Sequence, residues 1–378
     1  MVRHPQKILV VYWGRRGLNA LVHEILGAFG RRGDTDYLVS LSRHNSDLPA
    51  FAVLGGRIVL ADIFQRSPGA LNLARLRALR RSVAALVREQ GITDVVTLMP
   101  HVWSFAVSSA FREGGARYHT VIHDAIRHPG DGTGVVLPLL LRDALTADTV
   151  FTLSEGVAAE LQRRQGIEAS RLKVLFHPAT GPANLAPVAP PAGEPWRFLF
   201  LGRIMPYKGL PLFVDMVSRL RAEGRAVEAT VMGEGGLGSN EAALAALGAK
   251  VVNRWVSDAE IASALREHHA LVLSHIEASQ SGVAATALGA GLPVIATPVG
   301  GLKEQVRDRT TGLLAREANA AALAEAAREM MDVPGLHSRL ASGAAAACAT
   351  TSGDAFVEAL LSALARGPDH ASAARSRA

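Results

Sequence analysis

The chain has 378 residues, of which 49% are hydrophobic and 20% are charged, a composition typical of a globular protein and not of a disordered one. Its single cysteine, Cys348, excludes an internal disulfide, so we expect the reducing environment of the cytoplasm. The formal net charge is +6 and the whole basic excess lies within residues 1–190, but an aromatic content of only 5% and the lack of a known nucleic-acid-binding motif argue against a nucleic-acid partner.

The first half of the chain alternates between predicted strands and predicted helices. It starts with one short apolar strand and without the hydrophobic region of a signal peptide. Strands are predicted at 7–13, 57–60, 94–98, 118–123, 149–153 and 173–176, and the helices between them include 19–30, 71–90 and 156–165. This alternation predicts a parallel, doubly wound sheet with helices on both faces.

The alternation stops at residues 178–195, which are rich in proline and almost uncharged, and then starts again. Further strands are predicted at 197–201, 228–232, 250–253, 271–274 and 293–297. Because the chain is also longer than one hydrophobic core normally organises, we predict two domains. The expected limits are 1–180 for the first domain, 181–195 for a linker, 196–350 for the second domain, 351–366 for a C-terminal helix packing back on the first domain, and 367–378 for a disordered tail.

Two turns in the second domain are suited to holding an anion. The segment GRIMPYKG, 202–209, follows an apolar strand and precedes a helix, and it carries Arg203 and Lys208. An arginine fork, a compact ammonium and the amides of a helix start all favour phosphate oxygens. The segment EASQSG, 277–282, also lies between a strand and a helix, with Glu277 as an acceptor for hydroxyls. Together the turns indicate a diphosphate ligand, and no group of residues has metal-ligand spacing.

These turns and further segments resemble the donor-binding domain of retaining glycosyltransferases of the GT-B type, family 4 (glycosyl transferases group 1). The resemblance is carried by GRIMPYKG, VMGEGG (231–236), VNRWVSDAEI (252–261), EASQSG, GLPVIATPVGGLKEQV (291–306) and TTGLL (310–314), and more faintly by HDAIRHPG (123–130), LSEGV (153–157) and KVLFHPA (173–179). EASQSG resembles a bacterial subgroup tied to exopolysaccharide and lipid-linked glycan assembly. The resemblance implies an α/β GT-B fold of two Rossmann-like, doubly wound parallel-sheet domains facing a cleft.

The resemblance also implies roles for the residues at matching positions. Arg203 and Lys208 would neutralise the donor diphosphate and stabilise the leaving group, a task that a metal performs in other enzymes. Glu277 would bind hydroxyls of the donor sugar, and His123 would face that sugar from the first domain. The remaining donor-binding positions are Gly202, Glu234, Arg254, Val256, Ser281, Gly282, Val283 and Thr286.

The chain departs from the family pattern at two places. The second glutamate of the family's E-x7-E motif, which binds the ribose, falls at Thr286, and a threonine hydroxyl binds a ribose more weakly than a carboxylate does. The glycine-rich acceptor loop is altered to WGRRG, in which Arg15 and Arg16 are candidates for an acceptor phosphate. His101 and His128 are further candidates for the acceptor side.

The function implied by the resemblance is transfer of a hexose from a nucleotide-diphosphate sugar to a growing glycan, with retention of configuration and without a metal or other cofactor. The expected acceptor is an exopolysaccharide or a lipid-linked glycan such as a polyprenyl-diphosphate oligosaccharide. Two alternatives stay open, namely a non-catalytic nucleotide-sugar-binding or scaffold subunit and a GT-B epimerase. The few lysines disfavour a pyridoxal-dependent phosphorylase, and the absence of G-x-G-x-x-G after the first strand argues against a Rossmann dehydrogenase.

The predicted helix at 71–90 combines an apolar face with five arginines, Arg75, Arg77, Arg80, Arg81 and Arg88. A basic amphipathic helix can lie on an anionic membrane. A charged, solvated face over an ordinary core gives the same pattern, so both interpretations stay open. The first of them predicts a cytoplasmic protein in peripheral contact with the inner face of the cell membrane.

Overall fold

The computed structural model describes residues 6–15, 18–63, 72–130, 136–182, 185 and 193–366, and these divide into two compact units. The first unit consists of the residues up to Arg127, Thr133–Phe176 and the residues from Phe356 onward. The second consists of His128–Gly132 and His177–Ala355. The predicted tail at 367–378 and most of the predicted linker at 181–195 lie outside the described residues.

A parallel sheet of seven strands forms the centre of the first unit. The strands are β1 (Lys7–Tyr12), β2 (Asp36–Ser42), β3 (Ile58–Ala61), β4 (Asp94–Met99), β5 (Arg117–Ile122), β6 (Thr149–Thr152) and β7 (Leu172–Val174). The helices are α1 (Asn19–Arg31), α2 (Leu48–Phe51), α3 (Leu73–Gln90), α4 (Ser104–Glu113), α5 (Leu137–Thr146), α6 (Glu155–Gln165) and, from the C-terminal part, α14 (Gly353–Arg366). The strand order β3-β2-β1-β4-β5-β6-β7 reverses between β1 and β4, which is the topological switch point of the sheet.

Helix α3 shows how the sequence fixes one element and its orientation. The side chain of Asn72 accepts a hydrogen bond from the N–H of Arg75 at 2.9 Å, and Gly91 ends the helix in the left-handed region. Its buried residues, among them Leu79, Val83 and Val87, recur at helical spacing and face the core. With 18 residues it is the longest helix described, and neither it nor any other described helix has the length and apolar character needed to cross a membrane.

Helix α14 completes the core of the first unit. Its residues Phe356, Leu360 and Leu364 are buried in the same apolar cluster as Ile8 and Val10 of β1. Burial of each such side chain stabilises the unit by roughly 1.5–3 kcal/mol. The last described helix is therefore part of the first unit's fold and not an appendage.

The second unit is built on a parallel sheet of six strands. The strands are β8 (Trp196–Leu201), β9 (Val227–Met232), β10 (Lys250–Val252), β11 (Ala270–Leu273), β12 (Val294–Ala296) and β13 (Gly312–Leu314). The helices are α7 (Leu210–Ala222), α8 (Asn240–Ala246), α9 (Asp258–Glu267), α10 (Gly282–Gly289), α11 (Leu302–Gln305), α12 (Ala320–Asp332) and α13 (Leu336–Thr350). The order β10-β9-β8-β11-β12-β13 repeats the topology of the first unit, and its switch point lies between β8 and β11.

Two strands were not among the elements predicted from sequence, β2 and β13. β2 escapes the pattern because two of its buried positions are serines, Ser40 and Ser42, which read as polar. Each is satisfied by a hydrogen bond, Ser40 Oγ from Trp13 Nε1 at 3.0 Å and Ser42 Oγ from the N–H of His44 at 3.1 Å. β13 has only three residues, too few to show a periodicity.

Candidate functional site

The two predicted anion-binding turns meet at the switch point of the second sheet. β8 and β11 are neighbouring strands, so the turns that follow them leave the same edge. The N–H of Ile276 donates to the carbonyl of Tyr207 at 2.8 Å, and Ser274 Oγ donates to the carbonyl of Lys208 at 3.1 Å. A Cβ on Gly209 would lie 1.9 Å from the carbonyl oxygen of Ser274, so this approach requires glycine. The two turns therefore form one rigid surface.

The loop after β9 contacts the first of these turns from the other side. The N–H of Gly202 donates to the carbonyl of Met232 at 2.9 Å, and the N–H of Ile204 donates to that of Glu234 at 2.8 Å. Gly233 has φ +143°, and a Cβ there would lie only 2.0 Å from the carbonyl oxygen of Gly202. Gly233 is thus required because main chain packs directly on main chain at this position.

The segment after β12 holds the EASQSG turn in the same way. The N–H of Gly301 donates to the carbonyl of Ala278 at 3.0 Å. Gln305 of α11 bonds Ser281 twice, since its Oε1 accepts from the Ser281 N–H at 2.7 Å and its Nε2 donates to the Ser281 carbonyl at 3.1 Å. Four loops at one edge of the sheet are therefore tied together before any ligand binds, which is the preorganisation that a binding site needs.

Lys208 is the most unusual charge at this edge. Its side chain is only 8% exposed, and its Nζ lies 3.4 Å from the position that a Cβ on Gly202 would take. Burial, together with the positive charge of Arg203, lowers the pKa of Lys208 to about 8. In the described part of the chain no carboxylate forms an ion pair with this ammonium. A buried ammonium that has a second cation beside it and no carboxylate partner among the described residues is suited to binding an anionic ligand.

Glu277 is held by a histidine from a distant part of the sequence. His128 Nδ1 lies 3.0 Å from Glu277 Oε1, and His128 Nε2 lies 3.0 Å from Ser279 Oγ. The imidazole is 7% exposed and stacks on the Tyr207 ring with centroids 4.9 Å apart. Glu277 itself is one-third exposed, and its other carboxylate oxygen has no hydrogen-bond partner among the described residues. His128, predicted for the acceptor side, thus belongs to the second unit and contacts the predicted sugar-binding acid.

A second buried histidine, His275, lies behind this group. Its ring centroid is 6.1 Å from that of Tyr207, and the residue is 3% exposed. Burial first, and then the charges of Lys208 and His128, lower the pKa of His275 well below its usual range, so the ring is neutral. Sequence reasoning did not single out Tyr207, Ser279 or His275, although all three lie within or next to the two motifs.

The start of α10 provides backbone donors next to Glu277. Ser281 caps the helix, its Oγ accepting from the N–H of Ala284 at 3.2 Å, and its own N–H is already bound by Gln305. The N–H groups of Gly282 and Val283 lie in the first turn, where the helix supplies no acceptor. These two amides are therefore the ones available to a phosphate or sugar oxygen.

Thr286, the position of the missing second glutamate, has protein partners. Its hydroxyl donates to the carbonyl of Gly282 at 2.9 Å and lies 2.9 Å from the hydroxyl of Thr180. These contacts tie the segment that precedes the linker to α10. A hydroxyl with two protein partners retains one acceptor position for a ligand.

Three of the predicted donor-binding residues, Glu234, Arg254 and Val256, follow the ends of β9 and β10. Arg254 donates through both terminal nitrogens to Glu260, at 3.1 and 2.5 Å, which fixes its guanidinium on the surface. Val256 is buried, Glu234 is exposed, and Trp255 keeps 60% of its surface exposed. This end of the site therefore presents an exposed aromatic ring and an arginine that is already paired.

The remaining predicted residues belong to the switch point of the first unit. His123 donates from Nε2 to the carbonyl of Leu98 at 2.8 Å, so its Nδ1 is the unprotonated nitrogen, and that buried atom has no partner among the described residues. Burial lowers the pKa of His101 to about 4, and its Nδ1 accepts from the N–H of Trp103 at 3.2 Å. Arg15 is exposed, whereas Arg16 lies outside the described residues. Across the described ranges, no group of three or more His, Cys, Asp or Glu side chains is arranged to hold a metal.

Known structures share this architecture. The Anabaena protein Alr3699/HepE, solved in complex with UDP, matches with a TM-score of 0.71 at 18% sequence identity over 94% of this chain and all of that one. The fold is GT-B.

Sequence comparison concentrates on the second GT-B unit. Residues 195–333 match the family described as "Glycosyl transferases group 1". The D-inositol 3-phosphate glycosyltransferase of Streptomyces bingchenggensis is 32% identical over 221 residues, 53% of this chain and 48% of that protein. The 2-deoxystreptamine glucosyltransferase of Streptomyces kanamyceticus is 32% identical over 139 residues, 36% of each chain. The chain spans about half the length of the first of these relatives, and the family match over residues 195–333 contains Arg203, Lys208 and Glu277.

Proposed function

We propose that the protein is a glycosyltransferase that moves a hexose from a nucleotide-diphosphate sugar to a growing glycan, with retention of configuration and without a metal. The observation that carries this proposal is the buried ammonium of Lys208, which lies beside Arg203 and pairs with no described carboxylate, at the switch point of a domain that matches the glycosyl transferases group 1. Glu277 adds a carboxylate oxygen that is open to sugar hydroxyls. Cations for the diphosphate and an acceptor for the sugar are the two groups that recognition of a nucleotide sugar demands.

The reaction can be written with the residues of this site. The bond between the anomeric carbon and the diphosphate oxygen breaks, and its electron pair leaves with the diphosphate. Arg203, Lys208 and the amides of Gly282 and Val283 stabilise that developing charge. The acceptor hydroxyl oxygen bonds to the same carbon on the same face, and its proton goes to the departing diphosphate oxygen. Glu277 orients the sugar through its hydroxyls, so the reacting atoms are aligned.

The first unit supplies a neutral acceptor atom to this proposal. Because His123 donates through Nε2, its Nδ1 can accept a hydrogen bond from a hydroxyl. Burial lowers the pKa of His123, so the ring stays neutral at pH 7. We assign it to a hydroxyl of the donor sugar or of the acceptor.

A binding and hydrolysis panel tests the proposal. UDP-, GDP-, ADP- and dTDP-sugars are titrated by calorimetry and incubated with the protein, with and without EDTA, and free diphosphate and sugar are measured. We expect one nucleotide to bind, slow release of its diphosphate, and no effect of EDTA. Lys208→Met should lose binding of that nucleotide. Arg163→Gln also removes one positive charge, at a surface ion pair on α6, and is the control that should bind normally.

Each other result has a defined meaning. Binding without release of diphosphate, even with a broad panel of glycan acceptors, favours the non-catalytic binding subunit. Conversion of the sugar without transfer favours an epimerase. Activity that EDTA abolishes contradicts the metal-independent mechanism, and the absence of any nucleotide binding contradicts the proposal as a whole.

For the acceptor, we propose a lipid-linked, anionic glycan at a membrane surface. The support is a groove of about 570 Å³ on the first unit, lined by Arg77, Arg80, Arg81, Ala84, Ala85, Arg88 and Glu113. Arg80 is tied to α4 through Glu113 at 2.9 Å, whereas Arg77, Arg81 and Arg88 are exposed and form no ion pair with any residue that the structure describes. Each such arginine near an anionic bilayer contributes about 1 kcal/mol.

Vesicle sedimentation tests this contact. Binding to vesicles with 30% phosphatidylglycerol is compared for the wild type, Arg77→Gln/Arg81→Gln and the charge-matched Arg163→Gln/Arg164→Gln. We expect the first variant alone to lose roughly thirtyfold in affinity, and the wild type to bind neutral phosphatidylcholine poorly. Equal binding of both variants would contradict the contact, without bearing on the donor site.

A further inference from the structure

The contact between His128 and Glu277 suggests a role that the sequence did not assign to this histidine. We infer that His128 is a positioning residue, which holds the Glu277 carboxylate in the orientation that binds the donor sugar. The inference rests on the proposed function, because it concerns the same donor site. It differs from the sequence prediction, which assigned His128 to the acceptor.

The geometry defines which atoms of His128 form the contacts with Glu277 and Ser279. An ionised carboxylate only accepts hydrogen bonds, so Nδ1 of His128 carries the proton in its 3.0 Å contact with Glu277 Oε1. Nε2 lies 3.0 Å from the hydroxyl oxygen of Ser279, to which it donates when the ring is protonated and from which it accepts when the ring is neutral. The stacking on Tyr207 fixes the plane of the ring between these two partners. The imidazole therefore presents its Nδ1–H in a single direction.

Glu277 needs such a partner because little else restrains it. The side chain is one-third exposed, has three rotatable bonds, and forms no other hydrogen bond or ion pair with the described residues. Binding of Oε1 by His128 leaves Oε2 for the sugar. A displacement of about 1 Å at such a carboxylate can lower a rate by about a hundredfold. His128 thus acts by orienting the Glu277 carboxylate and not by contacting the substrate.

A pair of isosteric variants separates positioning from general stability. The amide nitrogen of asparagine takes the position of imidazole Nδ1, whereas that of glutamine takes the position of Nε2. His128→Asn should keep the donor to Glu277 and lose at most about threefold in kcat/KM for donor hydrolysis, whereas His128→Gln should lose about thirtyfold. Dissociation constants for the sugar-free nucleoside diphosphate should stay within twofold in both variants.

Double variants and a matched control complete the kinetic test. Glu277→Gln should lower kcat/KM as much as His128→Gln or more, and adding His128→Gln to it should cause no further loss. The control is His23 on α1, which also bonds a carboxylate, Asp47, at 2.7 Å and stacks on an aromatic ring, Phe51, at 3.8 Å. His23→Gln should leave kcat/KM unchanged, so an equal loss there would overturn the inference.

A spectroscopic readout stands independently of activity. Long-range ¹⁵N–¹H NMR of the wild type should show His128 protonated at Nδ1, and Glu277→Gln should change that signal while Lys208→Met does not remove it. Protonation at Nε2 alone would overturn the inference. If the wild type binds no nucleotide at all, the proposed function fails but the NMR result still decides whether His128 holds Glu277. Equal loss of nucleoside diphosphate binding in His128→Asn and His128→Gln would show a merely structural role.

Discussion

The two switch points of this molecule have the same topology and different chemistry. In the second unit, loops approach main chain to main chain around a buried lysine whose pKa burial lowers to about 8. In the first, the edge carries neutral rings, with His123 hydrogen-bonded to a carbonyl and His101 edge-on to Trp13 at 6.3 Å. Strand order therefore tells where a ligand binds, whereas the residues after each strand decide which ligand. The second edge suits an anion and the first suits hydroxyl groups.

The largest effect should come from filling the contact between two loops. Gly233→Ala would bring a Cβ within 2.0 Å of the Gly202 carbonyl oxygen at a positive φ, and we expect a loss of at least about 3 kcal/mol in the free energy of unfolding. Gly236→Ala, where nothing lies within 4 Å, is the control. Gly14→Ala in the first unit meets the side chain of Tyr12 and not a carbonyl, at a φ outside the left-handed region, and should cost less. Urea denaturation measures the free energy of unfolding of all three variants, and equal losses would contradict the expected difference between them.

Removing the buried charge should separate stability from binding. Lys208→Met eliminates an ammonium that burial and Arg203 disfavour, so the free energy of unfolding at pH 7 should rise by up to about 3 kcal/mol. Nucleoside diphosphate affinity should fall by about a hundredfold or more, since a charge-assisted contact is lost. Thermal denaturation and calorimetry give the two values. A variant that binds normally would show that the lysine does not contact the ligand.

The same lysine predicts opposite pH dependences for binding and stability. Above pH 8 the folded protein loses the Lys208 proton, so nucleoside diphosphate affinity should decline, and this decline should be absent in Lys208→Met. Between pH 8 and 10.5 the unfolded chain binds more protons, so the contribution of this residue to the free energy of unfolding rises with pH. Calorimetry and urea denaturation across pH 7–10 measure both trends. A nucleoside diphosphate affinity that stays constant across pH 7–10 would contradict the contact between Lys208 and the ligand.

The smallest expected effect concerns the first unit. Because burial lowers the pKa of His101 to about 4, its ring should stay neutral from pH 8 to pH 5. Below its usual value of 6.5 the unfolded chain binds the extra proton first, so this histidine makes the fold less stable as pH falls from 6.5 to 4. NMR titration of the ring proton is the direct check. A midpoint near 6.5 would show that the site is open to water.

The sequence predicted the fold class, because strand and helix periodicities were strong and the glycines of the turns have a steric cause. It also led to Arg203, Lys208 and Glu277 as one group, since parallel strands bring successive turns to one edge. It could not show that His128, 149 residues before Glu277, lies against it, because no local pattern encodes a contact at that separation. Nor could it show that Arg254 is already paired with Glu260, because a salt bridge between exposed groups depends on side-chain geometry.

The approach of Gly233 to Gly202 has a consequence for how this protein could change over time. Since backbone atoms set the outline of this edge of the second sheet, exposed side chains can be exchanged there without reshaping it. Trp255 and Ile276 keep 60% and 49% of their surface exposed at that edge. An engineer who wishes to alter the preference for the proposed donor should therefore randomise these positions and leave the glycines unchanged. The backbone of these loops can therefore stay unchanged while ligand preference changes by substitution of single side chains.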